Sequence, residues 1–71
     1  METTDIYVAS WLLAKGFSLA GKERRMNKIA IKFDADDSIE KESMAFYNGG
    51  EIVAKKYVDS MRTIRDFIFD R

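Results

Sequence analysis

The chain has no cysteine and no histidine among its 71 residues. Without cysteine no disulfide can staple the fold, and no thiolate can bind a metal or act as a nucleophile. Without histidine the commonest transition-metal ligand and general base is missing. Net charge is also missing: twelve basic side chains balance twelve acidic ones. A dedicated nucleic-acid binder usually carries a basic excess. No apolar run is long enough to span a bilayer, so no membrane role is expected. The N-terminus opens Met1-Glu2-Thr3-Thr4-Asp5, acidic where an export signal would be basic. The absence of cysteine fits a reducing compartment, and the expected localisation is cytoplasmic.

A chain of this length is read as a single domain over residues 1–71. Domains this small bury only about 60% of the surface their unfolded chains expose, which leaves a thin core. With no disulfide or thiolate metal site available, a partner chain is the remaining way to reinforce it.

Charge is unevenly placed. The stretch KERRMNKIAIK, Lys22 to Lys32, holds five basic residues and one acidic residue. The stretch from Asp34 to Glu42 holds five acidic residues and one basic residue.

Five elements are expected. Thr3-Thr4-Asp5 supplies N-cap residues for a first helix that Gly16 closes in a left-handed conformation. Ile6, Ala9, Leu12 and Leu13, with Val8 at their edge, form one apolar arc of that helix. Tyr7, Trp11 and Ala14 form a second, and Ser10 and Lys15 separate the two. A helix apolar on both flanks is usually buried on both. A β-hairpin follows, because Ile29, Ile31 and Phe33 alternate at strand period, as do Phe17, Leu19 and Gly21. A three-residue loop, Arg25-Met26-Asn27, sets Ile31 opposite Gly21 and Phe33 opposite Leu19, with Asn27 left-handed. It keeps the large apolar residues on one face and puts Lys22, Arg24, Lys28 and Lys32 on the other, Arg24 facing Lys28. A two-residue loop would set Ile31 opposite Lys22 and mix the faces.

Asp36-Asp37-Ser38 begins the next helix, and Asp37 with Glu40 has capping-box spacing. Ile39, Ser43, Phe46 and Tyr47 form its inner stripe, and Asn48-Gly49-Gly50 ends it. The last helix carries a stripe at Val53, Tyr57, Met61, Ile64 and Ile68. Lys55, Asp59, Arg62 and Asp66 form its solvent face, spaced to pair in series. Val58 and Phe69 at one edge of the stripe and Phe67 at the other widen the apolar surface beyond what one small core requires. The expected fold is α+β in the order helix-strand-strand-helix-helix, an antiparallel hairpin packed on helices.

Chemistry is sparse. Asp34, Asp36 and Asp37 lack the spacing and glycine of an EF-hand loop, and capping accounts for them better. The five serines have no base to activate them. Gly49-Gly50 lacks the Lys-Ser/Thr of a phosphate loop. No catalytic residue, cofactor site or metal site is predicted. Two surfaces remain. Lys22, Arg24, Arg25, Lys28 and Lys32 are candidate anion or nucleic-acid contacts, or else only a solvated face guarding a strand edge. Tyr7, Trp11 and Ala14 are a candidate interface for self-association, unless the last helix covers them and Trp11 is core.

The segments DIYVASWLLAKGF, IAIKFDADDSI and FYNGGEIVAKKYVDSMRTIRDFI, in that order, resemble a family of short prokaryotic and phage proteins of about 70 residues, a domain of unknown function. Asp5, Ala9, Leu12, Gly16, Phe33-Asp34, Tyr47-Asn48-Gly49 and Tyr57 carry the likeness. Arg25-Met26-Asn27 departs from it where an Asn-Gly type turn stands. The resemblance implies prokaryotic or phage origin and a compact α+β domain, with no activity or site attached. The expected function is therefore a non-enzymatic module that binds another protein and self-associates. The alternative is a nucleic-acid-binding accessory protein that uses the hairpin.

Overall fold

The computed structural model describes residues 1–34 and 38–69. Its elements are β1 (Glu2–Thr3), α1 (Ile6–Ala14), β2 (Leu19–Arg25), β3 (Lys28–Phe33), α2 (Ser38–Tyr47) and α3 (Ala54–Phe69). The α+β class and the helix-strand-strand-helix-helix order match the sequence expectation, and β1 is added at the front. The strands form one antiparallel sheet in the order β1-β3-β2, so β3 is central and β2 is an edge.

The first helix starts where its cap chemistry places it. Asp5 accepts hydrogen bonds from the Tyr7 and Val8 amides at 2.8 and 3.3 Å, satisfying donors that a helix start leaves open. Gly16, at φ +102°, ends it, with its amide on the Leu13 carbonyl. Val8, Ala9, Ser10, Trp11 and Leu12 are all buried, so α1 is enclosed on both flanks. Ser10, expected to separate two arcs, is also interior, and its hydroxyl donates to the Ile6 carbonyl at 2.6 Å. α1 packs against both α3 and α2.

The core joins α1 to Ile31 and Phe33 of β3, Ile39 of α2 and Ile64 of α3. Burying side chains of this size contributes about 1.5–3 kcal/mol each. The sequence stripes of α2 and α3 are partly right. Ile39 and Ser43 are buried, but Tyr47 is 64% exposed; Ile64 is buried, but Val53 lies before α3 and is exposed. Of the expected series on α3, Lys55 and Asp59 close at 3.0 Å. The Asp36 and Asp37 capping positions lie outside the described residues.

The hairpin departs from expectation. Arg25 pairs with Lys28, so the turn has two residues, and Met26, not Asn27, takes positive φ at 55°. Lys22 then stands opposite Ile31 and Arg24 opposite Ile29, the register expected of a two-residue loop, which mixes the faces. Between Leu19 and Gly21 a bulge inserts Ala20, and Leu19 regains Phe33 as its partner. A bulge shifts phase by one residue, so the expected register holds only at that end.

Candidate functional site

Directly opposed residues share a face of a sheet. Ile31 belongs to the core, so Lys22 and Arg24 lie on the helix-bearing face. Arg25, Lys28 and Lys32 lie on the outer face with Glu23 and Glu2, which stands opposite Lys32. The basic surface expected on one side of the hairpin is therefore divided between two.

On the outer face the cations are mostly answered. Arg25 pairs with Glu2 on β1 and, at 2.7 Å, with Glu23 on β2. Lys32 reaches Glu23 at 3.3 Å. Since β1 and β2 flank β3, the Arg25 guanidinium straps the central strand. Ala30, on the same face, is fully buried. Hydrogen bonds from Arg25 and then Lys32 hold the Glu23 carboxyl below its usual range, and Glu23 in turn raises Arg25. Arg24 and Lys28 enter no ion pair among the described residues.

Lys22 is turned away from the solvent tip. Its ammonium lies 5.2 Å from the Phe67 ring centroid and donates to the Phe67 carbonyl. A cation near the last carbonyls of α3 also suits the helix dipole. A lysine opposite Ile31 fits for the same reason: its stem covers apolar surface while its head reaches a polar partner.

The α1 flank is corrected as well. Trp11 is 4% exposed. Its indole N–H donates to the Glu42 carbonyl at 3.0 Å, and its ring meets Phe46 edge-on at 5.8 Å. Glu42 and Phe46 of α2 and the Gly50 segment meet the Trp11 ring, while α3 also packs on α1. Trp11 cannot anchor an exposed interface. Ala14 is half-buried and Tyr7 half-exposed. The Tyr57 hydroxyl donates to the Tyr7 carbonyl at 3.2 Å, and burial is the main cause of a raised Tyr57 phenol.

A different surface emerges at the free edge of β2. The Asp34 amide donates to Ser18, and the Phe33 amide to Met1, so even-numbered residues of β3 bond toward β2. Their partners Gly21, Glu23 and Arg25 use their backbone groups inward. By the alternation of an antiparallel ladder, Lys22 and Arg24 present theirs outward. Beside this edge lies a shallow cleft of about 510 Å³, lined by Leu19, Thr63, Asp66, Phe67 and Phe69. Phe69 is 77% exposed. The surplus aromatics of α3 are visible in the sequence, but their place beside β2 depends on tertiary packing that no periodicity encodes. Among the described residues, no group of three acidic side chains converges as a metal site would need, and no helix is long and apolar enough to cross a membrane.

No family model, no curated protein and no solved structure matches this chain.

Proposed function

We propose that this chain is a small, non-enzymatic interaction module that binds another protein, working in the cytoplasm of a prokaryote or phage-infected cell. The resemblance carried by its motifs supports the origin. One observation carries the binding: an open strand edge, β2, runs beside a cleft that leaves Phe69 exposed. Open edges pair with extended chains, and adjoining apolar pockets give such pairing its specificity.

The test is affinity capture from the native host with wild type and Phe69→Ser. Phe69 is largely exposed, so the variant should fold. A protein retained by the wild type and lost with the variant is the expected result. An identical set of captured proteins with both overturns the reading.

Nucleic-acid binding by the hairpin is the second reading, because Arg24 and Lys28, near the turn, enter no ion pair among the described residues. It is disfavoured by Glu2 and Glu23, which already occupy Arg25 and Lys32. Two phosphate contacts would give a log-log salt slope near −2. Labelled oligonucleotides titrated at low salt should show no binding; saturable binding with that slope, lost in Arg24→Ala, would reverse the order of the two readings.

A further inference from the structure

We propose that one flank of α3 docks an acidic amphipathic helix of another protein. The apolar stripe of that helix lies along Ala54, Val58 and Met61, and its carboxylates meet Arg62 and Arg65. This surface is separate from the β2 edge and goes beyond the reading that rests on that edge.

Three observations select this occupant. The first is the placement of the flank. α3 packs chiefly on α1, and Ile64, on the packed side, is fully buried. At about 3.6 residues per turn, Arg65, Val58 and Arg62 fall roughly 100–160° to one side of Ile64, and Thr63 and Asp66 fall as far to the other. Thr63 and Asp66 line the cleft beside β2, so Val58 and the two arginines belong to a different face.

The second is the shape of that face. Val58 is apolar yet 52% exposed; Ala54, Arg62 and Arg65 are exposed, and Met61 is half-buried. Ala54, Val58 and Arg62 follow one another four residues apart, the ridge along which helices interdigitate. Ala54 has only a methyl side chain, which lets a partner approach closely. From Ala54 to Arg65 the face runs about 16 Å along the axis, three turns of a docked helix. Interior helix backbone is already hydrogen-bonded within the helix, so side-chain packing carries the contact rather than strand addition.

The third is charge. Arg62 and Arg65 enter no ion pair among the described residues. Asp59, three residues before Arg62, is paired with Lys55 at 3.0 Å, and Asp66 stands on the cleft side. The neighbours of Arg65 one turn away are Met61, Arg62, Ile68 and Phe69, none of them acidic. The flank therefore offers two cations and no acid. A second copy of this chain would bring only further cations to it, and like charges across an interface oppose association. An acidic helix reverses the sign of those interactions.

The probes are three labelled peptides: a helical repeat of Leu-Glu-Ala-Leu-Glu-Glu-Ala, the same repeat with every Glu replaced by Lys, and a scrambled peptide of the acidic composition whose leucines form no stripe. Binding is followed by titration and by amide shifts of isotope-labelled protein. The acidic repeat should shift the Val58, Arg62 and Arg65 amides and bind about tenfold more tightly than either control. Arg65→Glu and Val58→Ser, both at exposed sites, should keep the wild-type circular dichroism and each weaken the acidic repeat about tenfold. Equal binding of the lysine repeat overturns the acidic occupant. Equal binding of the scrambled peptide overturns helix docking, and the absence of binding by all three overturns the surface itself. A labelled oligonucleotide that shifts the same amides and binds more tightly than the acidic repeat also overturns the proposal, since the flank then reads phosphates. None of these outcomes bears on the β2 edge, whose reading is decided by the Phe69→Ser capture.

Discussion

Trp11→Ala tests the placement of the largest interior side chain. Trp11 is almost fully buried, and removing such a side chain costs about 3–5 kcal/mol. Stability per residue in natural domains implies about 4–10 kcal/mol for a chain of 71 residues. The variant should therefore be marginally folded or unfolded at room temperature. Trp11→Phe separates the contributions. It keeps an aromatic ring near Phe46 but deletes the indole bond to Glu42, so it should cost about 1–2 kcal/mol. Gly50 offers an independent check on the same contact. A Cβ there would meet the Ala45 carbonyl oxygen at 2.8 Å and the Trp11 ring at 3.0 Å. The Ala45 oxygen is backbone and already accepts from the Gly50 amide at 2.8 Å, so it cannot yield cheaply. Gly50→Ala should therefore destabilise by about 1–3 kcal/mol. Urea unfolding followed by circular dichroism gives all three values. A Trp11→Ala protein within about 1 kcal/mol of wild type would refute the core placement and restore Trp11 as a surface residue.

Other outcomes follow from single observations. Ser43 is buried on α2 and its hydroxyl has no hydrogen-bond partner among the described residues, so Ser43→Ala should stabilise by about 0.5–1.5 kcal/mol in thermal or urea melts, and a loss of stability would mean that the hydroxyl is satisfied. Met26 holds φ 55° at an almost fully exposed turn position; Met26→Asn should raise stability by about 0.5–1 kcal/mol, and a fall would count against the two-residue turn. Glu23 has a depressed carboxyl in the folded chain, so its contribution is present above the unfolded-state value and is lost as pH falls through the folded one. Glu23→Gln should therefore melt slightly below wild type near pH 7, with the difference closing in acid; a gap that does not change with pH would mean that the charge of Glu23 is not what binds Arg25 and Lys32.

Periodicity and caps made the helices legible. Asp5 and Gly16 bound α1 as their chemistry requires, and Asn48-Gly49-Gly50 stops α2. The edge strand β1 was not legible because two residues carry no period, and one of them, Thr3, already had an explanation as part of a helix cap. Tyr47 and Val53 fell on apolar stripes, yet both are exposed; each lies at the end of a helix or just outside it, where packing rather than periodicity decides. Trp11 could be read either way, since a helix apolar on two sides does not say which neighbour covers the second. Of the candidate site, the cations were legible as residues but not as a surface, because a one-residue change of register moves every side chain to the opposite face.

The bulge at Ala20 makes that change matter for function. Under the expected register, Lys22, Arg24, Lys28 and Lys32 would share the outer face, a continuous basic surface suited to phosphates. Under the observed register, Glu23 moves onto that face between Arg25 and Lys32, and Glu2 of β1 completes the ion pairs. Lys22 and Arg24 move to the helix-bearing side of the free edge. The bulge then restores Leu19 to its place opposite Phe33, so the core face survives the slip. The two edges of the sheet are left unequal. β1 has two residues and offers little backbone to a partner; β2 has seven and keeps its outward groups open. Natural sheets often guard such an edge with lysine. Here the Lys22 ammonium is drawn back onto Phe67, beside the exposed Phe69.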